Sequence, residues 1–271
     1  ASHLAVGAPD PVSQMDLADV LADRERARAL VCWNVNVASP NPRQAALRSA
    51  LARDDLYVVA IDLFPTDTTA LADLVLPAAR FLEFDDLMAS YFEISLSAQV
   101  KASEPVGEAL PNQEIFRRLS TAMGFGEPEL HEPDRAIIDH VLQASGTGET
   151  FESLAAKGTV WPHADVLLQF ADGAFPTPSG KIEIASARAE AEGLPRVPQP
   201  DVDARTSGSR LRLLSPASPW TMNGTFGNDR KITRRMGAAT VGLHPAEAAA
   251  RGLADGAEVE LSNATGTLRL K

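Results

Sequence analysis

The stretch from Tyr57 to Pro77 constrains this chain more than any other. Tyr57-Val58-Val59-Ala60-Ile61 is a continuous apolar run rich in β-branched side chains. Such a run suits a strand covered on both faces, as in a parallel sheet. It ends in an acid, Asp62, and open parallel sheets place ligand contacts just outside the carboxyl ends of their strands. Phe64-Pro65 turns the chain, and Thr66 is placed to cap a short helix whose exposed N–H groups suit a phosphate or a ribose hydroxyl. Leu74-Val75-Leu76 reads as a second short buried strand, stopped by Pro77.

Upstream, residues 15–28 carry Leu17, Val20, Leu21 and Ala27 at helical spacing. Ala29-Leu30-Val31-Cys32-Trp33 reads as the first buried strand, and residues 34–42 as a polar loop closed by Pro40 and Pro42. Asn41 followed by Pro42 predicts an N-cap and first turn for a helix reaching about Arg53. The unit is therefore strand, loop, helix, strand, the order of a right-handed parallel crossover. A nicotinamide-type dinucleotide site needs a Gly-x-Gly-x-x-Gly turn after the first strand, and residues 34–42 contain no glycine.

Downstream, Glu83, Asp85 and Asp86 place three carboxylates in four positions. They could serve acid–base chemistry or a hard cation; the plainer reading is solvated loop acids with a capping Asp. A helix is predicted from about Asn112, with Ile115, Phe116, Leu119 and Met123 on one face and Gly124 as its C-cap. Residues 125–193 read as an α-rich insertion, with helices over 133–142 and 151–157. Within it, Pro178-Ser179-Gly180 predicts a turn and Lys181-Ile182-Glu183-Ile184 a short strand. Gly180-Lys181 is not a phosphate loop, since the first glycine and the following helix of that motif are missing. Residues 194–210, with Pro195, Pro198 and Pro200, form the linker. After it the texture turns to strands: 211–214, then a glycine-rich turn at Asn223–Asn228, a helix over 246–251, and strands over 257–261 and 267–271.

Composition narrows the classes. The chain of 271 residues has room for one large or two medium domains. A net charge of −11 argues against nucleic acid or an anionic membrane as the main partner. The single cysteine, Cys32, rules out an internal disulfide and an all-cysteine metal or iron–sulfur site within this sequence. It reads as a small buried hydrophobe. No run has the apolar length needed to span a bilayer.

The order Asp62, Thr66-Asp67-Thr68, Ala72-Asp73, Leu76-Pro77 resembles the signature of the molybdopterin oxidoreductases of the dimethyl sulfoxide reductase superfamily. Three further stretches, in the same order along the chain, are similar to that family: the Pro105-Val106-Gly107-Glu108 loop, the phrase Thr177-Pro178-Ser179-Gly180-Lys181-Ile182-Glu183, and His244-Pro245-Ala246 through Asp255-Gly256. The last resembles the double-psi β-barrel that closes such enzymes. The resemblance implies an open parallel α/β sheet with flanking helices over 1–193, followed over 211–271 by part of that barrel. It also implies a molybdopterin guanine dinucleotide carrying molybdenum or tungsten. Asp62, with Thr66 and Asp73, would hold the guanosine, and Asn34 and Asn36 would face the pyrophosphate. One departure matters here: the family loop typically ends in Asn-Pro, whereas Val37 follows Asn36, so which Asn touches the cofactor stays open. Thr225, Asn228 and His244 would be pterin contacts in the barrel, although a lone histidine such as His244 is more often a structural one beside a proline turn. In the family a Glu after the Leu-Pro lines the cofactor or substrate funnel, a third reading for Glu83 and its neighbours.

By the same resemblance the chain is the C-terminal part of a two-electron oxidoreductase. An iron–sulfur cluster and the residue that ligates the metal would belong to the N-terminal half. This part alone is expected to be inactive and to hold no metal. Its partners would be that half and an electron-transfer subunit or domain. The rival is a non-enzymatic α/β-plus-barrel binding or assembly module.

Overall fold

The computed structural model describes residues 11–90, 94–162, 168–200 and 211–271; segments 1–10, 91–93, 163–167 and the polar end of the predicted linker, 201–210, lie outside the described residues. A 3-10 turn at Gln14–Asp16 leads into helix α1 (Leu17–Ala22). This helix is shorter than the periodicity of 15–28 predicts. Asp23 turns extended, and its carboxylate accepts the Glu25 N–H, a local turn that competes with another helical turn.

Strands β1 (Ala29–Trp33), β2 (Tyr57–Asp62) and β3 (Leu74–Pro77) form one parallel sheet in that order. Helix α2 (Gln44–Leu51) crosses from β1 to β2. Alternation along the strands divides the faces. Cys32, Val58 and Ala60 point to one side, where α1 and α2 add Leu21, Leu47 and Leu51 to the largest core cluster. Ile61 points to the other side and packs with Ala78, Ile115 and Phe116. Only the middle strand is closely covered. β1 and β3 are edges, and Val31 and Trp33 are each more than half exposed, so the expectation of three buried strands holds for β2 alone.

Helix α2 starts two residues later than Asn41-Pro42 predicts. Its cap position is Arg43, at φ 56°, with no side-chain cap. Asn41 is buried instead, its Oδ1 accepting from Gln14 Nε2, which withdraws its side chain from capping.

Beyond β3, strands β4 (Asp86–Ala89) and β5 (Leu96–Gln99) pair antiparallel and later take up β6 (Thr159–Val160). Helix α3 (Asn112–Met123) ends at Gly124, whose φ of 74° is the left-handed C-cap its sequence signals. Helices α4 (Asp134–Ser145) and α5 (Phe151–Lys157) pack Ile138, Leu142, Phe151 and Leu154 against the β4–β6 sheet. Helix α6 (Ala187–Ala191) is short. The predicted strand 181–184 is irregular and outward-facing, with Ile182 and Ile184 more than two-thirds exposed. Among the described residues no strand lies beside it to complete a ladder.

In the last segment, 211–214 is likewise not a strand. Helices α7 (Arg230–Met236) and α8 (Pro245–Ala250) precede an antiparallel hairpin, β7 (Val259–Asn263) and β8 (Gly266–Leu270). Asn263 shapes that turn, its Oδ1 accepting the Thr265 and Gly266 N–H groups.

Candidate functional site

Two loops meet at the carboxyl end of the parallel sheet, and one threonine joins them. Thr68 is fully buried; its N–H and its hydroxyl both bond Asn36 Oδ1, at 3.2 and 2.8 Å, and its oxygen accepts the Ala38 N–H at 3.0 Å. The loop after β1 and the loop after β2 are thus fixed to each other. Sequence reasoning gave Thr68 no role of its own, although a threonine among polar neighbours that proves buried must find partners.

Around this joint stand four of the predicted site residues. Asn34 follows β1 directly, its N–H donating to Ile61 O at 2.8 Å, its backbone left-handed at φ 50° and its side chain exposed. Asparagine tolerates that conformation better than most residues. Asn36 keeps Oδ1 for Thr68, which leaves Nδ2 as its outward donor. Asp62 ends β2 half-exposed, with Oδ1 accepting the Leu63 N–H at 2.7 Å. Thr66 and Thr69 exchange bonds: Thr66 N–H to Thr69 Oγ1, and Thr69 N–H to Thr66 Oγ1. This knot holds the Thr66 hydroxyl at the rim, its proton still available.

Asp73 does not join them. Its N–H donates to Val58 O at 2.8 Å and its Oδ2 accepts the Val58 N–H at 2.7 Å. Val58 lies near the amino end of β2, four residues before Asp62, or about 13 Å at the rise of an extended strand. The grouping of Asp73 with Asp62 and Thr66 is therefore corrected. The loop returns to the amino edge before β3 begins, as a parallel connection must, and Asp73 spends its carboxylate closing that edge.

From the far end of the chain, the glycine-rich turn comes down on the same loops. Asn228 Nδ2 donates to Pro65 O at 3.2 Å, and a Cβ placed on Gly224 would stand 3.7 Å from Asn36 Nδ2. Thr225 sits in this turn, its N–H bonded to Met222 O. Five non-glycine residues have positive φ among the described residues, and four of them (Asn34, Arg43, Asn223 and Phe226) lie in these loops. Backbone strain gathers at functional sites, and no sequence pattern announced it here. His244 is the N-cap of α8, its Nδ1 accepting the Ala246 N–H at 3.2 Å, which fits its structural reading.

Charge around the site is largely committed. Arg43 holds Asp19 through two bonds, and Arg48 holds Asp67 at 2.7 Å. Burial, with the Asp62 charge adding to it, pushes the Cys32 thiol up to about 11. The three downstream carboxylates do not converge. Glu83 is buried, and bonds from the Arg80 side chain and N–H hold it below the usual carboxylate range. Asp85 accepts the Lys101 N–H, and Asp86 the Leu87 N–H. Each is a structural acceptor.

The donor set suits a polar, anionic nucleotide: amide donors at Asn34 and Asn36, a hydroxyl at Thr66, and one carboxylate for a base or sugar edge. Comparison with known proteins agrees. Residues 16–122 match the model of the molybdopterin oxidoreductase family, and residues 211–271 that of the molydopterin dinucleotide binding domain. The chain is 31% identical over 247 residues to a probable oxidoreductase, YoaE, of Bacillus subtilis, covering 90% of this chain and 36% of that one. It is 25% identical to a putative dimethyl sulfoxide reductase catalytic subunit of Halobacterium salinarum, covering 92% and 32%. The fold superposes on acetylene hydratase from Pelobacter acetylenicus with a TM-score of 0.72 at 20% identity, covering 95% and 37%. The chain thus spans about a third of the length of these relatives. It belongs to the molybdopterin oxidoreductases of the dimethyl sulfoxide reductase superfamily.

Proposed function

We propose that this chain supplies the nucleotide-holding part of a molybdopterin-dependent oxidoreductase, gripping the guanosine end of a molybdopterin guanine dinucleotide at the carboxyl end of its parallel sheet. The observation that carries the reading is the junction of three loops there: Thr68 ties the two sheet loops together, and the turn at 223–228 closes over them. Asp62 accepts from the guanine N–H edge or a ribose hydroxyl. Thr66 adds a hydroxyl, and Asn34 with Asn36 Nδ2 donates to the pyrophosphate. Thr225 and Asn228 border the site from above, while His244 stays a helix cap. The bound cofactor supplies two-electron redox chemistry at molybdenum or tungsten, often with oxygen-atom transfer. The protein's share is to place and orient it.

In this reading 1–193 is the α/β domain with its insertion at 125–193, 194–210 is the linker, and 211–271 begins a double-psi barrel. The metal ligand, any iron–sulfur cluster and the electron-transfer partner lie on other segments or subunits, and this chain alone is inactive. A few hydrogen bonds of about 0.5–1.5 kcal/mol each, set against the cost of ordering a ligand, give weak nucleotide binding, on the order of millimolar to tens of micromolar. Amide shifts during titration with GMP, GDP and AMP test the reading. Guanine nucleotides should shift residues 34–66 at lower concentration than AMP does, because adenine lacks the paired N–H donors an acid can accept. Equal responses to GDP and AMP, or shifts confined to other residues, would refute it.

A further inference from the structure

Among the described residues the α/β side of the site offers no uncommitted arginine, and the chain places a group of cations beside it. Arg43, Arg48 and Arg80 all belong to the α/β side and all are paired, with Asp19, Asp67 and Glu83. The rest of the charge is unevenly spread. Residues 1–210 hold 17 Lys and Arg against 31 Asp and Glu, whereas residues 211–271 hold eight against five. Half of those eight lie on α7, as Arg230, Lys231, Arg234 and Arg235. Arg235 lies over the Trp220 ring, 5.5 Å from its centre. Arg230, Lys231 and Arg234 are exposed and form no ion pair among the described residues. At spacings of three and four they share one side of the helix.

Two observations tie this helix to the site. Asn228, two residues before α7, is bonded to Pro65 of the β2–β3 loop, and Asp229 begins the helix as its N-cap, accepting the Lys231 and Ile232 N–H groups. The basic side of α7 therefore begins two residues along the chain from a residue bonded to the loop that carries Thr66. The segment also lies inside the match to a dinucleotide-binding domain. A dinucleotide carries its negative charge on the diphosphate between its two halves.

We infer that Arg230, Lys231 and Arg234 are the counter-charge for that diphosphate. The assignment rests on the proposed guanosine site and fixes the nucleotide's direction there: base toward Asp62, diphosphate toward α7. Asp229, the acid at the head of the helix, is turned to its own N–H groups, so its charge is partly spent there.

Titration of the full chain with guanosine, inorganic pyrophosphate and GDP, followed by backbone amide shifts, separates this inference from the reading beneath it. Guanosine reports on the base and sugar end near Asp62 and Thr66, whereas pyrophosphate reports on α7 together with Asn34 and Asn36. Pyrophosphate should shift residues 228–236, and GDP should bind about ten-fold more tightly than guanosine, as three exposed charge contacts imply. In the triple variant R230Q/K231Q/R234Q, which keeps good helix formers at the surface, GDP should lose most of its advantage over guanosine while guanosine is unchanged. A variant that keeps the GDP preference overturns the inference. So does pyrophosphate that shifts only residues outside α7, or sulfate matching pyrophosphate at equal ionic strength, which would mark unselective attraction of anions.

Discussion

The two regions that meet at the site are built by opposite means. Among the described residues every buried one lies between Ala18 and Leu154, most of them in clusters that close both sides of β2 and back the β4–β6 sheet. Among the described residues of 211–271 none is buried; α7, α8 and the β7–β8 hairpin hold together through caps, ladder bonds and turn bonds. The first region gets its rigidity from packed apolar surface, which outweighs ordering entropy with no help from a ligand. The second has little such surface of its own. Its place over the site depends on what it lies against: the sheet loops on one side and, in the proposed function, a nucleotide between them.

The comparison breaks most directly through the cores. Leu47 is almost wholly buried beneath the sheet, so Leu47→Ala should lower unfolding stability by about 2–5 kcal/mol. Leu261 faces Leu268 across the hairpin, and Leu268 is more than half exposed; Leu261→Ala should cost less than about 1 kcal/mol. Urea unfolding of both variants checks this. Equal losses would mean that 211–271 carries a core of its own.

A smaller effect sharpens the boundary between floor and site. Thr68→Val keeps the shape but strands the Ala38 N–H and removes the hydroxyl donor to Asn36 Oδ1, leaving only the backbone N–H of residue 68 on it. Leaving such groups buried and unmet costs about 1–3 kcal/mol. The same variant should weaken guanine nucleotides, because it loosens Asn36 and removes the bond that ties Ala38 to the second sheet loop. A variant of lower stability with unchanged nucleotide response would show that the joint supports the fold but does not order the site.

What could be read from the sequence follows the same division. The β1–α2–β2–β3 order was legible because continuous apolar runs and their stops are local signals. So were α3 with Gly124 and α5 with Gly158. Asn34, Asn36, Asp62 and Thr66 were legible as neighbours, since they lie at or within four residues of the carboxyl ends of two adjacent parallel strands. Asp73 was misplaced because its distance along the chain from Asp62 says nothing about the loop running back to the amino edge. Thr68 was missed because its importance lies in partners 30 and 32 residues away. The strands at 181–184 and 211–214 failed because a strand needs a neighbour, and alternation by itself does not supply one. The β4–β6 sheet was missed for the converse reason: Leu96–Gln99 and Thr159–Val160 are too short to stand out, and they pair only once the chain has folded.

The smallest expected effect uses Cys32, which lies in the floor, paired with Ala60 and walled from solvent. Burial and the Asp62 charge raise its thiol from an ordinary 9.0 to about 11 in the folded chain. The unfolded chain therefore loses this proton first as pH rises. The contribution to stability is complete below about pH 9 and is lost as the pH climbs toward 11, so native stability should decline across that window. Cys32→Ala should remove this part of the decline, and the difference between the two proteins isolates it from tyrosine and lysine titration. At pH 8 only about one native thiol in a thousand would be ionised, as a gap of three pH units requires, so labelling by a disulfide reagent should wait on opening of the floor. A thiol that reacts at the rate of a free cysteine would mean that β1 is accessible from its outer edge and that the floor is not closed. A slow rate that does not change when GDP is added would place nucleotide binding on the cover and loops, leaving the packed layer beneath them undisturbed.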